Sequence, residues 1–462
     1  MQMKEKLSVL FSPSSIAVIG ASNNFDRLGY HVMKSLVEGG YSGTVYPVNP
    51  NDSKVWGMSC YPSLKEIPTA VDMAVIVVPA RFIPEILEEC GEKGVKGAVI
   101  ISAGFREIED PAGTDLQEKI REITTKWSLP VIGPNTLGFV NLSHSVNASF
   151  VPEFSLVSSD GISLVAQSGG FSATCAHLAI EQKMGFSKIV GIGNRCNIDF
   201  PEMVDYLAED PDTRVIALYI EGMDDPRRLL EAASRVRGKK PIIACKGGRS
   251  KRGNEASRFH TGSLAGNYNI WQGAFRQSGI LEVNSIEELL DVTKAAEILP
   301  PLKGDRIAVL STQAGPGMVA SDHVEAMGLQ LSRFNPQTQE KINQLLPPVA
   351  MRTNPVDMGP AWYNLPAIID IVKVILKDEN VDGLIFLAVY ASANVGLSKG
   401  IREYFEKSEP LSKPLILSFA APPGTWQEDI QAIDRRRNVI FLPTPERAAR
   451  AMGALLQLQI KS

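Results

Sequence analysis

Ser15-Ile16-Ala17-Val18-Ile19-Gly20-Ala21 decides the fold. It is an apolar run of strand length that ends on a glycine, and residues 27–38 behind it repeat their apolar positions at helical spacing. A buried strand, a small-residue turn and a helix open a parallel α/β sheet. Strand-like runs follow at 44–50, 72–79 and 97–105, with helical patterns at 83–93 and 115–127 between them. Their ends carry Asn49-Pro50, Val78-Pro79 and Ser102-Ala103-Gly104, and Gly133-Pro134-Asn135 closes the series. In one parallel sheet all of these fall on the carboxyl edge, where ligands bind.

The backbone N–H groups of Gly20-Ala21-Ser22, at a helix start, suit a nucleotide phosphate. The dinucleotide fingerprint itself is missing. It needs GxGxxG and an acidic residue closing the second strand. Here the loop runs Gly20-Ala21-Ser22-Asn23-Asn24 and then Gly29, and the second strand ends Asn49-Pro50-Asn51. Both departures count against an NAD-dependent oxidoreductase, which stays as a rival reading.

The next segment has strands at 161–166, 188–193, 214–220 and 241–246. Gln167-Ser168-Gly169-Gly170 turns the first of them into an apolar helix at 171–182. Free N–H groups and the positive dipole end there suit phosphate at Ser168, Gly169 and Gly170. A serine nucleophile at Ser168 would need GxSxG, and Ala166 stands where the first glycine belongs. The strand at 214–220 ends on Glu221-Gly222. After the strand at 241–246 and a polar turn comes Ser257-Arg258-Phe259-His260-Thr261-Gly262-Ser263-Leu264-Ala265-Gly266. The plainer reading of His260 is an incidental loop histidine. The chain has only five histidines, however, and this one lies in a small-residue loop beyond a strand end. Gly262 and Ser263 let a backbone approach a bulky anion. Glu221 is a candidate partner that would orient the ring and favour a charged imidazole.

Residues 285–299 read as an amphipathic helix opened by a capping box, Ser285 with Glu288. Pro300-Pro301-Leu302-Lys303-Gly304 is a linker. Strands at 306–312, 383–390, 414–419 and 439–443 form a third series. Gln313-Ala314-Gly315-Pro316-Gly317 is a second glycine-rich helix start, leading into a helix at 318–326, and offers Ala314, Gly315 and Gly317 to an anion. The expectation is an α/β chain of three consecutive open parallel-sheet domains, at 1–145, 146–299 and 300–462.

With 462 residues and a net charge of -4, the chain has no basic surface that argues for nucleic acid. No apolar run is long enough for a membrane span, and the first residues lack a signal-peptide pattern. The five cysteines are scattered without a CxxC. They read as buried thiols of a cytoplasmic protein, and no metal site is expected in this chain.

Six motifs, in this order, point to a family: Ile19-Gly20-Ala21-Ser22, Tyr46-Pro47-Val48-Asn49-Pro50, Gly133-Pro134-Asn135, Gln167-Ser168-Gly169-Gly170, Glu221-Gly222 and His260-Thr261-Gly262-Ser263. Across essentially its whole length the chain resembles the α subunits of NDP-forming acyl-CoA synthetases, the succinyl-CoA synthetase superfamily, and most of all the archaeal ADP-forming acetyl-CoA synthetase type. The resemblance implies a Rossmann-like CoA-binding domain followed by two flavodoxin-like domains. It implies CoA at Gly20, Ala21, Ser22, Asn49, Pro50, Val78, Pro79, Ser102, Ala103, Gly104 and Asn135, and phosphate at Ser168-Gly169-Gly170. It makes His260 the phosphorylated histidine and Glu221 the glutamate that steadies it, with the helix starts at Gly169 and Gly315 completing an anion site inside one chain. No segment reads as an ATP-grasp domain. A separate ATP-grasp β subunit in an α2β2 heterotetramer is therefore implied, with Mg²⁺ and ADP or ATP on that partner. A CoA-binding regulatory module with vestigial catalysis is the second rival, which the presence of both His260 and Glu221 opposes.

Overall fold

The computed structural model describes residues 3–254 and 267–461. Its contacts divide the chain into two compact units, Met1–Ile286 and Glu287–Ser462.

The first unit begins with β1 (Ser15–Ile19), β2 (Thr44–Val48), the short hairpin β3 (Lys54–Val55) and β4 (Met58–Ser59), then β5 (Met73–Ile76), β6 (Gly97–Ile100) and β7 (Val131–Ile132). Five of these form a parallel sheet in the order β2-β1-β5-β6-β7. Both faces are covered. Ile16, Val18, Val75 and Val99 join one apolar cluster, while the alternate residues Ala17, Ile19, Ala74, Ile76 and Ile100 join another. Two-sided burial is why these strands read as continuous apolar runs rather than alternating ones. With β2 on one side of β1 and β5 on the other, the carboxyl ends of β1 and β5 frame a topological switch point.

The second sheet comprises β8 (Gly138–Asn141), β9 (Val146–Ser149), β10 (Ser158–Ala166), β11 (Gly185–Gly191), β12 (Val215–Ile220), β13 (Ile242–Lys246) and β14 (Leu281–Val283). Its order is β14-β13-β12-β10-β11-β8-β9. The five strands from β10 to β14 are parallel, as expected. The pair β8–β9 is antiparallel and closes the β11 edge, so the sheet is mixed there. This hairpin runs across the expected junction at 145/146. Gly138 makes its close packing feasible: at φ +96° its missing Cβ would stand 2.2 Å from the Ala148 carbonyl oxygen.

The second unit holds β15 (Arg306–Ser311), β16 (Gln330–Leu331), β17 (Val356–Asp357), β18 (Gly383–Val389), β19 (Leu415–Ala420) and β20 (Val439–Phe441). All pair in parallel, in the order β16-β15-β18-β19-β20 with β17 also on β15. The helix Ile286–Ile298 packs in this unit. Asp291 takes Arg447, Asp434 takes Lys294 at 2.5 Å, and Glu297 takes Arg435 at 2.8 Å. Both glycine-rich starts are themselves the first turns of their helices, Gly169–Glu181 and Ala314–Ala326. From sequence those helices are expected to begin two and four residues later, at 171 and 318. Glycine is tolerated at a helix start because the first N–H groups have no intrahelical partner, and for the same reason Pro316 loses nothing there.

Candidate functional site

The first site is a cleft of about 1080 Å³ at the switch point of the first sheet. Gly20, Ser22, Asn49, Pro50, Val78, Pro79, Ser102 and Ala103 line it. Its form follows from Gly20. At φ +93° the chain leaves β1, and Gly20 N–H donates to the Val48 carbonyl at 2.9 Å. The helix Leu28–Glu38 then crosses so closely that a Cβ on Gly29 would sit 1.9 Å from the Gly20 oxygen. Arg27 caps this helix without a side-chain bond, and Leu28 and Gly29 face the cleft, so the helix dipole points its positive end into it. Asn49 Nδ2 donates to the Ala21 oxygen at 2.9 Å, and Ser102 Oγ donates to the Val78 oxygen at 2.5 Å. These bonds fix the tips of neighbouring strands.

Three expected CoA residues do not line this cleft. Ala21 is fully buried and accepts from Asn49 through its carbonyl. The Gly104 N–H is used by the Glu107 carboxylate at 2.5 Å. Asn135 donates its N–H to Ser102 and its side-chain amide to Asn194 at 3.3 Å, joining the first sheet to the loop after β11. Sequence reading missed Arg27 and Phe82 on the lining, and the carboxylates Asp26, Asp52, Glu85 and Glu89. The pattern that would have found Arg27 was its place immediately before the helix.

The obvious reason for Gly20 is room for a ligand, but the missing Cβ points at the Val77 oxygen, 2.7 Å away, and at Val78 Cγ1, 3.0 Å away. The strain of a side chain at this φ, about 1–3 kcal/mol, therefore falls on the sheet edge. Gly20→Val is expected to displace the β1 and β5 tips, weaken CoA binding and lower the melting temperature. Unchanged CoA affinity by calorimetry would contradict the assignment of this cleft.

The second site lies on the carboxyl edge of the second sheet, where β10, β12 and β13 are neighbours. Ser168 ends the turn after β10, and its Oγ accepts from the Phe171 N–H at 3.3 Å, capping the helix Gly169–Glu181. Gly170 is exposed, and a Cβ there would meet nothing nearer than Ser168 Oγ at 3.9 Å, which leaves the helix start open to an anion. Gln167 ties this start to Glu221. Its Oε1 accepts the main-chain N–H groups of Glu221 at 2.6 Å and Gly222 at 3.1 Å. Phe171 stacks on Tyr219 with centroids 3.7 Å apart.

Glu221 is buried, 8% exposed. The Tyr219 hydroxyl donates to its carboxylate; burial, together with that carboxylate, pushes the phenol well above its usual range. Gly247 leaves room for this pair: a Cβ there would stand 2.7 Å from Tyr219 Oη and 3.5 Å from Glu221 Cγ. Lys246, at the end of β13, donates to the Glu221 carbonyl at 2.7 Å. Tyr219 and Lys246 were missed in the sequence. The available signal was a lysine ending a run that is otherwise apolar. His260, Gly262 and Ser263 lie outside the described residues.

The other glycine-rich start, in the second unit, is built differently. Gln313 caps the helix without a side-chain bond, and Ser311 Oγ donates to the Gln313 carbonyl at 2.6 Å. Gly317 packs on Ser311, where a Cβ would meet Ser311 Cβ at 3.2 Å, and Gly315 faces open space. Among the described residues no group of three or more His, Cys, Asp or Glu side chains could hold a metal, and no helix is long and apolar enough to cross a membrane.

The fold and the sequence place the chain in a known class of α/β proteins with a CoA binding domain and a succinyl-CoA ligase like flavodoxin domain. Residues 14–141 match the family model of a CoA binding domain, and residues 159–296 match that of a succinyl-CoA ligase like flavodoxin domain. Over 98% of its length the chain is 38% identical to the α subunit of acetate–CoA ligase [ADP-forming] II of Pyrococcus furiosus, 97% of which is covered. It is 35% identical to an acetate–CoA ligase [ADP-forming] of Methanocaldococcus jannaschii, and there it spans 64% of the relative's length. A solved dinucleotide forming acetyl-coenzyme A synthetase 1 of Ca. Korarchaeum cryptofilum, in complex with phosphate and ADP, superposes with a TM-score of 0.90 at 34% identity, over 98% of this chain and 97% of that one. The chain belongs to the family of α subunits of ADP-forming acetate–CoA ligases.

Proposed function

We propose that this chain is the α subunit of an ADP-forming acyl-CoA (acetyl-CoA) synthetase, converting acyl-CoA, ADP and phosphate to free acid, ATP and CoA. Phosphate attacks the thioester carbonyl and CoA leaves as the thiol, giving an acyl phosphate. His260 then takes the phosphoryl group as nucleophile, freeing the carboxylate, and passes it to ADP. The observation that carries this reading is the meeting, at neighbouring strand tips, of a buried carboxylate and a capped, glycine-headed helix start, linked through Gln167. The helix N–H groups of Gly169 and Gly170 would stabilise the charge on the transferred group.

CoA would occupy the cleft of the first sheet. In the second unit Ala314, Gly315 and Gly317 are proposed as phosphate-binding, and Gly262 and Ser263 likewise in the His260 loop. The three-domain division at 1–145, 146–299 and 300–462 is kept as part of this reading. So are a cytoplasmic location and an ATP-grasp β subunit in an α2β2 assembly, carrying ADP with Mg²⁺. The purified chain alone should bind CoA and yet make no ATP from acyl-CoA, ADP and phosphate, whereas the chain with its partner should do both. Steady ATP production by the chain alone would contradict the division of labour. CoA binding without turnover even in the complex would favour a regulatory module.

A further inference from the structure

Lys246 is 2% exposed at the end of β13 and has no role in the chemistry above. Among the described residues its hydrogen bonds go to main-chain carbonyls, those of Glu221, at 2.7 Å, and of Gly247, and its ammonium lies 5.5 Å from the Trp271 ring centroid. A methionine would fill the same space without the cost of desolvating a charge, and carbonyl bonds offset only part of that cost. The lysine stands at the carboxyl edge that also holds Glu221 and the open helix start.

We propose that Lys246 is a positioning residue for phosphoryl transfer: it holds the Glu221 strand tip by the main-chain carbonyl and sets a fixed positive charge against the anions that arrive there. This rests on the role of Glu221 proposed above. The register supports it, because Ile220 pairs with Lys246 and the Gly247 N–H donates to the Ile220 carbonyl at 2.8 Å, so the two strand tips are one hydrogen-bonded unit. Among the described residues, the groups that face the ammonium are Glu221 just beyond β12, Cys245 from its own strand, Glu282 from β14, and Trp271 from the helix Tyr268–Ser278. Burial pulls the Lys246 amine down to about 8, against the opposing pull of Glu221 and Glu282. The amine is therefore charged below that pH and neutral above it, and a rate that needs the ammonium must fall as pH rises through about 8.

The test uses the chain in complex with its partner subunit. It reads acyl-CoA-dependent ATP synthesis across neutral to alkaline pH, with CoA affinity by calorimetry as a check on folding, since that cleft belongs to the other sheet. Lys246→Met should cost about 10²-fold in rate, the scale of a lost preorganised donor, with CoA affinity kept. Lys246→Arg, whose guanidinium stays charged, should keep the rate within about tenfold at neutral pH and lose the alkaline fall. An alkaline fall that persists unchanged in Lys246→Arg, or a wild-type rate in Lys246→Met, would overturn the proposal. If Lys246→Met no longer binds CoA, it has lost its fold and the Lys246→Arg profile decides alone. Glu221→Gln separates the layers: full activity there sinks the role of Glu221 itself, whereas an impaired Glu221→Gln beside a normal Lys246→Met rejects only Lys246.

Discussion

His260→Ala in complex with the partner subunit is expected to lose acyl-CoA-dependent ATP synthesis by about 10⁴-fold or more, the scale of losing a nucleophile that no neighbour replaces. The expectation follows from where the loop starts. It leaves β13 at Lys246, and the neighbouring strand β12 ends at Ile220, one residue before Glu221. Ser168, a hydroxyl at this edge, caps a helix through its Oγ and lacks the sequence pattern of a nucleophile elbow. CoA binding should survive in His260→Ala, because the cleft proposed for CoA is built on the first sheet. Steady-state ATP synthesis and calorimetry on the same preparation check both halves. Full turnover in this variant would remove His260 from the mechanism.

Glu221→Gln is the second large effect. The carboxylate is 8% exposed and takes the Tyr219 hydroxyl, and its strand tip is held by Gln167 and Lys246 through main-chain atoms. Glutamine keeps the shape and every main-chain bond, so the variant removes charge alone. A carboxylate that orients an imidazole favours its charged form and leaves the other ring nitrogen to attack. Phosphoryl labelling should persist at a rate lower by about 10²–10⁴-fold, the usual scale of a positioned acid–base partner. Rapid-quench labelling with γ-labelled ATP measures it, and a wild-type rate would show that Glu221 is structural.

Much of the fold was legible because both faces of the parallel strands are buried. A run such as Ser15–Ile19 then reads as a strand from hydrophobicity alone, and its glycine end marks the ligand edge. The antiparallel pair β8–β9 was not legible. Gly138 and Asn141 look like loop residues, and what makes them strand is pairing with β11, nearly fifty residues further on. The helix Met3–Phe11 escaped for a similar reason. Phe11 is buried through ring contacts with Phe139 and Tyr206, which no local pattern reveals.

The candidate sites divide along the same line. Gly20, Asn49, Val78 and Ser102 line one cleft because each lies just beyond a strand end, and strand ends share an edge. Ala21, Gly104 and Asn135 occupy similar positions in sequence, yet their polar groups are committed to Asn49, Glu107, Ser102 and Asn194. Such commitments are tertiary and leave no trace in the local pattern. Glu221 was readable as a carboxylate at a strand tip, whereas Lys246 and Tyr219 around it resemble ordinary strand residues until the neighbouring strands are paired.

The most direct measurement is the position of the phosphoryl group. The wild-type complex is charged with γ-labelled ATP, the acid-labile, base-stable label is preserved through digestion, and the labelled peptide of this chain is sequenced by mass spectrometry. The account predicts a phosphohistidine at His260, discharged by acid and CoA. A chain that carries no label there while the complex turns over, or a label on any other residue of this chain, would contradict it.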